Sequence, residues 1–304
     1  MTHDPVSVVI ATRNRPEMVR EAIEAVRVQD YPGPVEVVLV YDQSEPDLSL
    51  GTDDPHRSVR VIENQHSAGL AGARNTGIEA ATGTYVAFCD DDDYWLPTKV
   101  SRQVARLSTS PDAVMVTCGI RVEYDGETFD RVLELDEVPF EEMLRDRHTE
   151  LHPSTFLMRR QPLLDRVGLV DEAVPGGFGE DYEFLLRTAK DQPIANVRAP
   201  LTVVRWGKQS FFFRRWETMA AGLTWLLDRY PEFEGSRRGS ARVKGQIAFA
   251  QSSMGHRKDG LRWAGRALRS NPTEPRAFLA AAVAAGVVKP DRVMELLHHR
   301  GKGI

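Results

Sequence analysis

Between residues 6 and 93, short β-branched runs alternate with helical stretches, and this alternation limits the fold more than any other feature of the chain. Val6-Ser7-Val8-Val9-Ile10 reads as a buried strand that ends at Thr12-Arg13-Asn14-Arg15-Pro16. Pro16 suits a first helical turn, and Met18, Val19, Ala22, Ile23 and Val26 follow at helical spacing. Tyr31-Pro32-Gly33-Pro34 breaks that helix. Val35 to Tyr41 and Val59 to Ile62 read as further strands, and Ala68 to Ala81 as a helix of small residues. A fourth strand, Thr84 to Cys89, runs straight into Asp90-Asp91-Asp92-Asp93. Such alternation specifies a parallel sheet with helices on both faces. Ligands of these sheets lie outside the strand C-terminal ends, where three polar loops fall: residues 12–16, 42–44 and 90–93.

The second part differs in character. Val114 to Tyr124, a turn at Asp125-Gly126 and Thr128 to Leu135 read as a hairpin. Pro153 to Met158 and Leu201 to Val204 are strand candidates, and Glu180 to Lys190 is a helix entered through Gly176-Gly177-Phe178-Gly179. From Phe211 onward only helical patterns appear: about 211–230, 241–254, 258–269, 274–284 and 290–299, divided by breakers such as Pro231, Gly255 and Pro290. Charge divides at the same place. Residues 1–210 hold 22 basic and 36 acidic side chains, whereas residues 211–304 hold 17 and 8. Two units are expected, 1–210 and 211–304.

Two cysteines, Cys89 and Cys118, are too few for a disulfide framework, and no Cys/His spacing suggests zinc. Both lie in apolar runs and should be buried thiols. The first residues lack a basic segment followed by an apolar one, so no signal peptide is expected. The longest nearly unbroken apolar run, Ala277 to Val288, is twelve residues, short of the about 20 needed to span a bilayer. The expectation is a soluble, cytoplasmic protein, with peripheral contact at the inner membrane face left open.

Four adjacent carboxylates repel one another. They tolerate proximity when solvated, partly protonated or gathered around a cation. A charge run is usually a solvated loop. The position at a strand end favours the cation, because Mg²⁺ commonly binds one or two carboxylates together with substrate phosphates.

Four motifs in order then resemble a known family. They are Val8-Val9-Ile10-Ala11-Thr12-Arg13-Asn14-Arg15-Pro16, Asp42-Gln43-Ser44, Gly69-Leu70-Ala71-Gly72-Ala73-Arg74-Asn75-Thr76-Gly77 and Phe88-Cys89-Asp90-Asp91-Asp92-Asp93. A later one is Gly179-Glu180-Asp181-Tyr182-Glu183. Together they resemble a family 2 glycosyltransferase over residues 5–210. The resemblance implies an α/β, GT-A fold: a Rossmann-like nucleotide-binding sheet with mixed acceptor-side strands, here followed by an all-helical C-terminal extension. It implies an inverting transfer from a nucleotide-diphosphate sugar, UDP-linked first among them, to a glycan or glycolipid hydroxyl.

Residue by residue, the resemblance puts Thr12, Arg15 and Asp42 at the nucleotide. A carboxylate such as Asp42 can accept a hydrogen bond from a uracil N–H. Arg74 would lie near the base or pyrophosphate; by residue type alone an exposed helix arginine fits as well. Asp91 would hold the ribose. Asp92 would hold a divalent metal, Mn or Mg, and Asp90 would share that metal or orient the loop. Asp93 reads as a cap for the helix near Pro97. The family base corresponds to Asp181. A helix start favours its ionised form, while Glu180 and Glu183 oppose it; a helix cap is the plain alternative.

Trp95, Trp206, His152 and Glu180 are candidate sugar or acceptor contacts, with core packing as the competing reading for both tryptophans and a satisfied structural role for His152. The glycine loop 176–179 is a candidate lid. Two departures from the family pattern stand out. Gly207 replaces a histidine, leaving Lys208 or Gln209 to complete the metal or diphosphate shell, and Tyr41 precedes Asp42 where a second aspartate is usual. The basic tail, with Phe211-Phe212-Phe213-Arg214-Arg215-Trp216, suits either an anionic acceptor or membrane face, or a plain helical cap. No nucleic-acid motif accompanies its charge. The rival readings are a sugar-phosphate nucleotidyltransferase, disfavoured because residues 11–16 contain no glycine, and an inactive nucleotide-sugar-binding scaffold.

Overall fold

A computed structural model describes residues 3–206 and 215–298. The first strand, β1 (Val6–Thr12), is buried along nearly its whole length rather than on alternate residues. This is the pattern of a parallel strand covered on both faces. After helix α1 (Pro16–Arg27), strand β2 (Val35–Tyr41) pairs parallel to β1, with Val6 opposite Val35 and Thr12 opposite Tyr41. Strand β3 (Val59–Glu63) continues the sheet beyond β2. Helix α2 (Leu70–Ala80) leads to β4 (Tyr85–Phe88), which pairs parallel to β1 on its other side. The strand order therefore reverses at β1 and β4, and their C-terminal ends open the crevice expected of a doubly wound sheet.

The sheet then turns mixed. Strands β5 (Tyr94–Trp95) and β6 (Met115–Tyr124) flank helix α3 (Lys99–Ser108) in sequence, followed by β7 (Glu127–Arg131), β8 (Glu137–Val138), helix α4 (Phe140–Arg145) and β9 (Leu157–Arg159). One turn, α5 (Arg160–Pro162), precedes helix α6 (Glu180–Asp191) and strand β10 (Ile194–Arg205). The order is β3-β2-β1-β4-β9-β6-β10-β5. Strand β9 runs antiparallel to both β4 and β6, and β10 runs parallel to β6.

Some expectations shift here. Pro153 to Met158 is not one strand. Pro153 opens a 3-10 turn to Thr155, with His152 as its cap, and only Leu157–Arg159 extends. A proline's fixed φ and missing N–H suit a helical first turn better than a ladder. Strand β10 is much longer than Leu201 to Val204, because a register irregularity around Pro200 lets two halves share one strand. The hairpin turn is as read: Asp125 and Gly126 both have positive φ, at 52° and 84°.

The chain divides into two compact units. One comprises residues 1–140, 148–172 and 180–208 and contains the sheet. The other comprises 141–147, 173–179 and 209–304. In the second unit helices α7 (Trp216–Arg229), α8 (Arg237–Ser253), α9 (Arg257–Ser270), α10 (Pro275–Ala284) and α11 (Pro290–His298) follow one another. Helix α8 is buried on most of its residues and is central to this unit. Close approach depends on glycine there: a Cβ at Gly239 would lie 1.9 Å from the Leu144 carbonyl oxygen. The glycine loop 176–179 belongs to this unit and rests on α7, where a Cβ at Gly222 would meet the Phe178 carbonyl at 2.6 Å. Gly207 to Arg214, including Lys208, Gln209 and the Phe211-Phe212-Phe213 run, lie outside the described residues. Among the described residues no helix is long and apolar enough to cross a membrane.

Candidate active site

Each strand that ends at the crevice delivers one polar loop. Beyond β1, Asn14 takes a left-handed φ of 56°, and beyond β2, Gln43 does the same at 51°. Left-handed backbone at non-glycine residues is uncommon and marks loops held by their surroundings. Thr12 Oγ1 donates to Asp91 Oδ2 at 2.8 Å. Arg15 Nη1 reaches Asp91 Oδ1 at 2.8 Å and Asp92 Oδ2 at 2.7 Å. The first and third loops are thus tied across the strand-order reversal. Asp42 is buried and accepts from Asn64 Nδ2 at 2.9 Å, from Gln43 Nε2 at 2.9 Å and from the Gly69 N–H at 3.1 Å.

Arg74 is the side chain whose setting departs most from a surface reading. It is 3% exposed, lies over the Phe88 ring, and donates to Asp90 Oδ1 at 2.7 Å and Glu180 Oε1 at 2.9 Å. One guanidinium therefore joins the aspartate loop to the first turn of α6. Both of its arms are occupied by carboxylates, so it acts on the loop and the helix rather than standing open to a diphosphate.

The four aspartates have different surroundings. Asp91 and Asp93 are nearly enclosed, with side chains 8% and 2% exposed, while Asp90 and Asp92 keep open faces at 21% and 35%. Burial pushes the Asp91 carboxyl up, partly offset by Thr12 and Arg15. Burial and then the Asp90 charge push Asp92 up. Asp93 is driven well above the carboxylate range, by burial first and then by Asp90 and Asp92. Two arginines face four carboxylates. A divalent cation would supply the missing charge, and an all-oxygen carboxylate donor set suits Mg²⁺ or Mn²⁺. Ligand atoms of Asp90, Asp93 and His152 also lie within 4.8 Å of one another.

Asp93 does not cap the next helix. The residue at that position is Thr98. Asp93 instead accepts from Ser154 Oγ at 2.5 Å, and its Oδ2 lies 3.3 Å from His152 Nδ1. Ser154 in turn accepts the Asp90 N–H at 3.0 Å, and its carbonyl accepts Trp95 Nε1 at 2.9 Å. Ser154 thus pins the loop from beneath.

Asp181 lies in the first turn of α6, half-buried, with Oδ1 accepting the Tyr182 N–H at 2.7 Å. Its neighbour Glu180 is 6% exposed. Burial and the Asp181 charge push the Glu180 carboxyl up to about 7, against the pull of Arg74.

Two expected sugar contacts are not at a surface. Trp95 is 2% exposed and packs with the core, its ring 3.7 Å from Lys99 Nζ. Glu180 is turned to Arg74. Trp206 packs edge-on against Phe129 under the Arg131 guanidinium, on the β6–β7 hairpin. His152 caps its turn and faces Asp93.

Several residues that sequence reasoning passed over complete the site. Asn64 orients Asp42, Ser154 holds Asp90 and Asp93, and Glu172 accepts from Asn75 Nδ2 at 2.7 Å and from the Ser67 N–H at 3.1 Å. Nothing in their local spacing signals these roles. Their partners lie 22 to 105 residues away in sequence.

A family profile described as "Glycosyl transferase family 2" matches residues 7–167, just over half of the chain. The chain is 28% identical over 198 residues to the uncharacterized glycosyltransferase YwdF of Bacillus subtilis, covering 63% of this chain and 70% of that protein. It is 33% identical over 105 residues to the UDP-Glc:alpha-D-GlcNAc-diphosphoundecaprenol beta-1,3-glucosyltransferase WfaP of Escherichia coli, covering 34% of this chain and 41% of that one. Among solved structures, S. aureus TarS 1-349 in complex with UDP-GlcNAc superposes with a TM-score of 0.61 at 16% identity, over 98% of this chain and 92% of that one. The mannosyltransferase PcManGT from Pyrobaculum calidifontis, in complex with GDP-Man and Mn²⁺, gives 0.55 at 19% identity, over 95% and 82%. The fold is that of the GT-A glycosyltransferases, with several C-terminal helices added.

Proposed function

The chain belongs to glycosyltransferase family 2, and from that premise we propose that it moves a sugar from a UDP-sugar to a hydroxyl of a glycan or glycolipid, inverting the anomeric centre. One observation carries this reading. Arg74 spans Asp90 and Glu180, so the aspartate loop and the start of α6, with Asp181, share a single ion-pair bridge. A donor-holding loop and a proton acceptor must be this close for a single displacement.

In this mechanism Asp42, oriented by Asn64 and Gly69, reads the base. Thr12 and Arg15 fix the Asp91 carboxylate for the ribose. Asp92 and Asp90 are the residues that would hold a divalent cation, which when bound neutralises charge on the departing nucleoside diphosphate. Asp181 takes the proton from the acceptor hydroxyl. The Tyr182 N–H holds the Asp181 carboxylate in one orientation, and position comes before pKa for a general base. The names of the relatives support a nucleotide-sugar donor: one relative is named for UDP-Glc, and the solved neighbours carry UDP-GlcNAc and GDP-Man.

Calorimetry with UDP, GDP and dTDP, each with Mn²⁺, Mg²⁺ or chelator, tests the donor site. We expect metal-dependent binding of UDP that Asp92→Ala removes. Tight binding of GDP alone would replace the donor, and binding of none in folded protein would return the scaffold reading.

A further inference from the structure

The helical unit contains a cavity of about 600 Å³ that the proposed reaction does not use. This lies within the about 300–1,000 Å³ common to ligand pockets. Its walls follow from helical spacing. Arg237 and Lys244 are seven residues apart on α8, two turns along one face, and Trp263, Arg266 and Arg269 recur at three-residue steps on α9. Sequence periodicity therefore gathers four cations around one space, against two carboxylates, Asp228 and Glu234.

Of these cations Lys244 is buried, whereas Arg237, Arg266 and Arg269 are exposed to solvent. Lys244 is 9% exposed, and its Nζ is fixed by Glu234 Oε1 at 2.8 Å and Ser270 Oγ at 3.4 Å. The Ser270 carbonyl accepts Arg237 Nε at 3.3 Å, and the Arg266 guanidinium lies 4.7 Å from the Trp263 ring. Arg237 is also the first residue of the seventeen-residue helix α8, whose terminal N–H groups carry partial positive charge. Lys244 is paired with Glu234, and counting Asp228 against the three arginines leaves a net excess of two positive charges in the lining, carried on planar forks.

We propose that this cavity is a phosphate-binding site that takes a diphosphate or phosphate-ester group. Guanidinium forks bind phosphate oxygens bidentately, and a doubly charged anion matches the excess. The assignment does not depend on the reaction proposed for the other unit.

The test uses the full chain with inorganic pyrophosphate as probe, in chelator and at fixed ionic strength, read by calorimetry and ³¹P line broadening. The double variant Arg266→Gln/Arg269→Gln is expected to bind at least ten-fold more weakly than wild type. Arg262→Gln, on the same helix but outside the cavity, should bind as wild type does. The metal-dependent part of UDP binding, taken as the difference between Mn²⁺ and chelator, should be unchanged in both variants, which separates this site from the donor site. Should the double variant fold poorly, Arg266→Lys keeps the charge without the fork and is expected to lose several-fold. Equal binding by wild type and cavity variants, or equal loss in Arg262→Gln, would overturn the proposal. Vesicles of phosphatidylglycerol and of phosphatidylcholine identify the source. Arginine-dependent binding of both pyrophosphate and phosphatidylglycerol supports a lipid headgroup, and of pyrophosphate alone a soluble phosphate. Vesicle binding without pyrophosphate binding would reduce the cavity to diffuse surface attraction and defeat it.

Discussion

The sheet unit gathers buried charge around one loop cluster, whereas the helical unit buries a few charged side chains, Arg242, Lys244 and Glu274 among them. In the sheet unit, Arg74, Asp91, Asp93, Glu180 and Glu183 are all buried, and each meets a polar or charged partner. The helical unit packs through small residues, such as Gly239 and Gly260, and leaves most of its arginines facing outward. Burying charge costs stability unless every group is partnered. A fold that gathers this much of it in one place reserves that place for chemistry. The comparison teaches where to expect intolerance: in the sheet unit, charge changes should matter most, and in the helical unit, added volume.

The largest expected effect is on the reaction. Asp181→Asn should lower transfer by about 10²–10⁴-fold, the range for a positioned general base, while UDP binding measured by calorimetry stays unchanged. Retained turnover would remove Asp181 from the base role. Next comes Arg74→Leu, which leaves Asp90 and Glu180 without their shared cation. Breaking a buried pair costs about 3–5 kcal/mol, and urea unfolding should report a loss of that size. A loss under about 1 kcal/mol, as for surface pairs, would show the bridge to be solvated in solution.

Two glycines sharpen the contrast between units. A Cβ at Gly77 would lie 2.2 Å from Val9 Cγ1, and one at Gly239 would lie 1.9 Å from the Leu144 carbonyl oxygen. Overpacking typically costs about 1–3 kcal/mol. Hydrogen exchange should show Gly77→Ala loosening the amides of β1 and α2, and Gly239→Ala those of α8. Identical protection loss throughout both units in either variant would mean that they unfold together.

The smallest effects are those of pH. Glu180 has a folded value raised from 4.5 to about 7, so the folded state binds its proton more tightly. Its contribution is present below the unfolded value and declines as pH rises through about 7. Glu180→Gln should flatten that part of the stability profile between pH 4.5 and 7. His66, raised by hydrogen bonding to Glu79 and, further down, by Glu172, behaves in the same sense: its contribution fades as pH climbs above its folded value. His66→Gln should leave the alkaline side unchanged; a slope altered only there would contradict the assignment.

Much of this molecule was legible in one dimension. Strand β2 falls on Val35 to Tyr41 as read, helix α1 begins at Pro16, and Asp90 to Asp93 follow β4. These features are local. Apolar periodicity reports burial on two faces or one, proline and glycine mark the ends, and a polar loop after a parallel strand must face the crevice. The family motifs lie in the same local runs, and the strand ends bring Thr12, Arg15, Asp91 and Asp92 into contact.

What local pattern does not encode is which groups meet across the chain. Arg74 sits among small residues of α2, and its partners are 16 and 106 positions away. Asp93 looked like a helix cap because the next helix begins nearby, yet its partner Ser154 is 61 residues on. Trp95 and Trp206 carry the same side chain; only the packing distinguishes a core ring over Lys99 from one lying on a hairpin. Residue type and spacing set the elements and the chemistry available to them, because backbone preference and burial period act within a few residues. Partner choice, enclosure and the resulting pKa shifts arose only with tertiary packing, since desolvation and charge pairing depend on distances that the chain acquires when it folds.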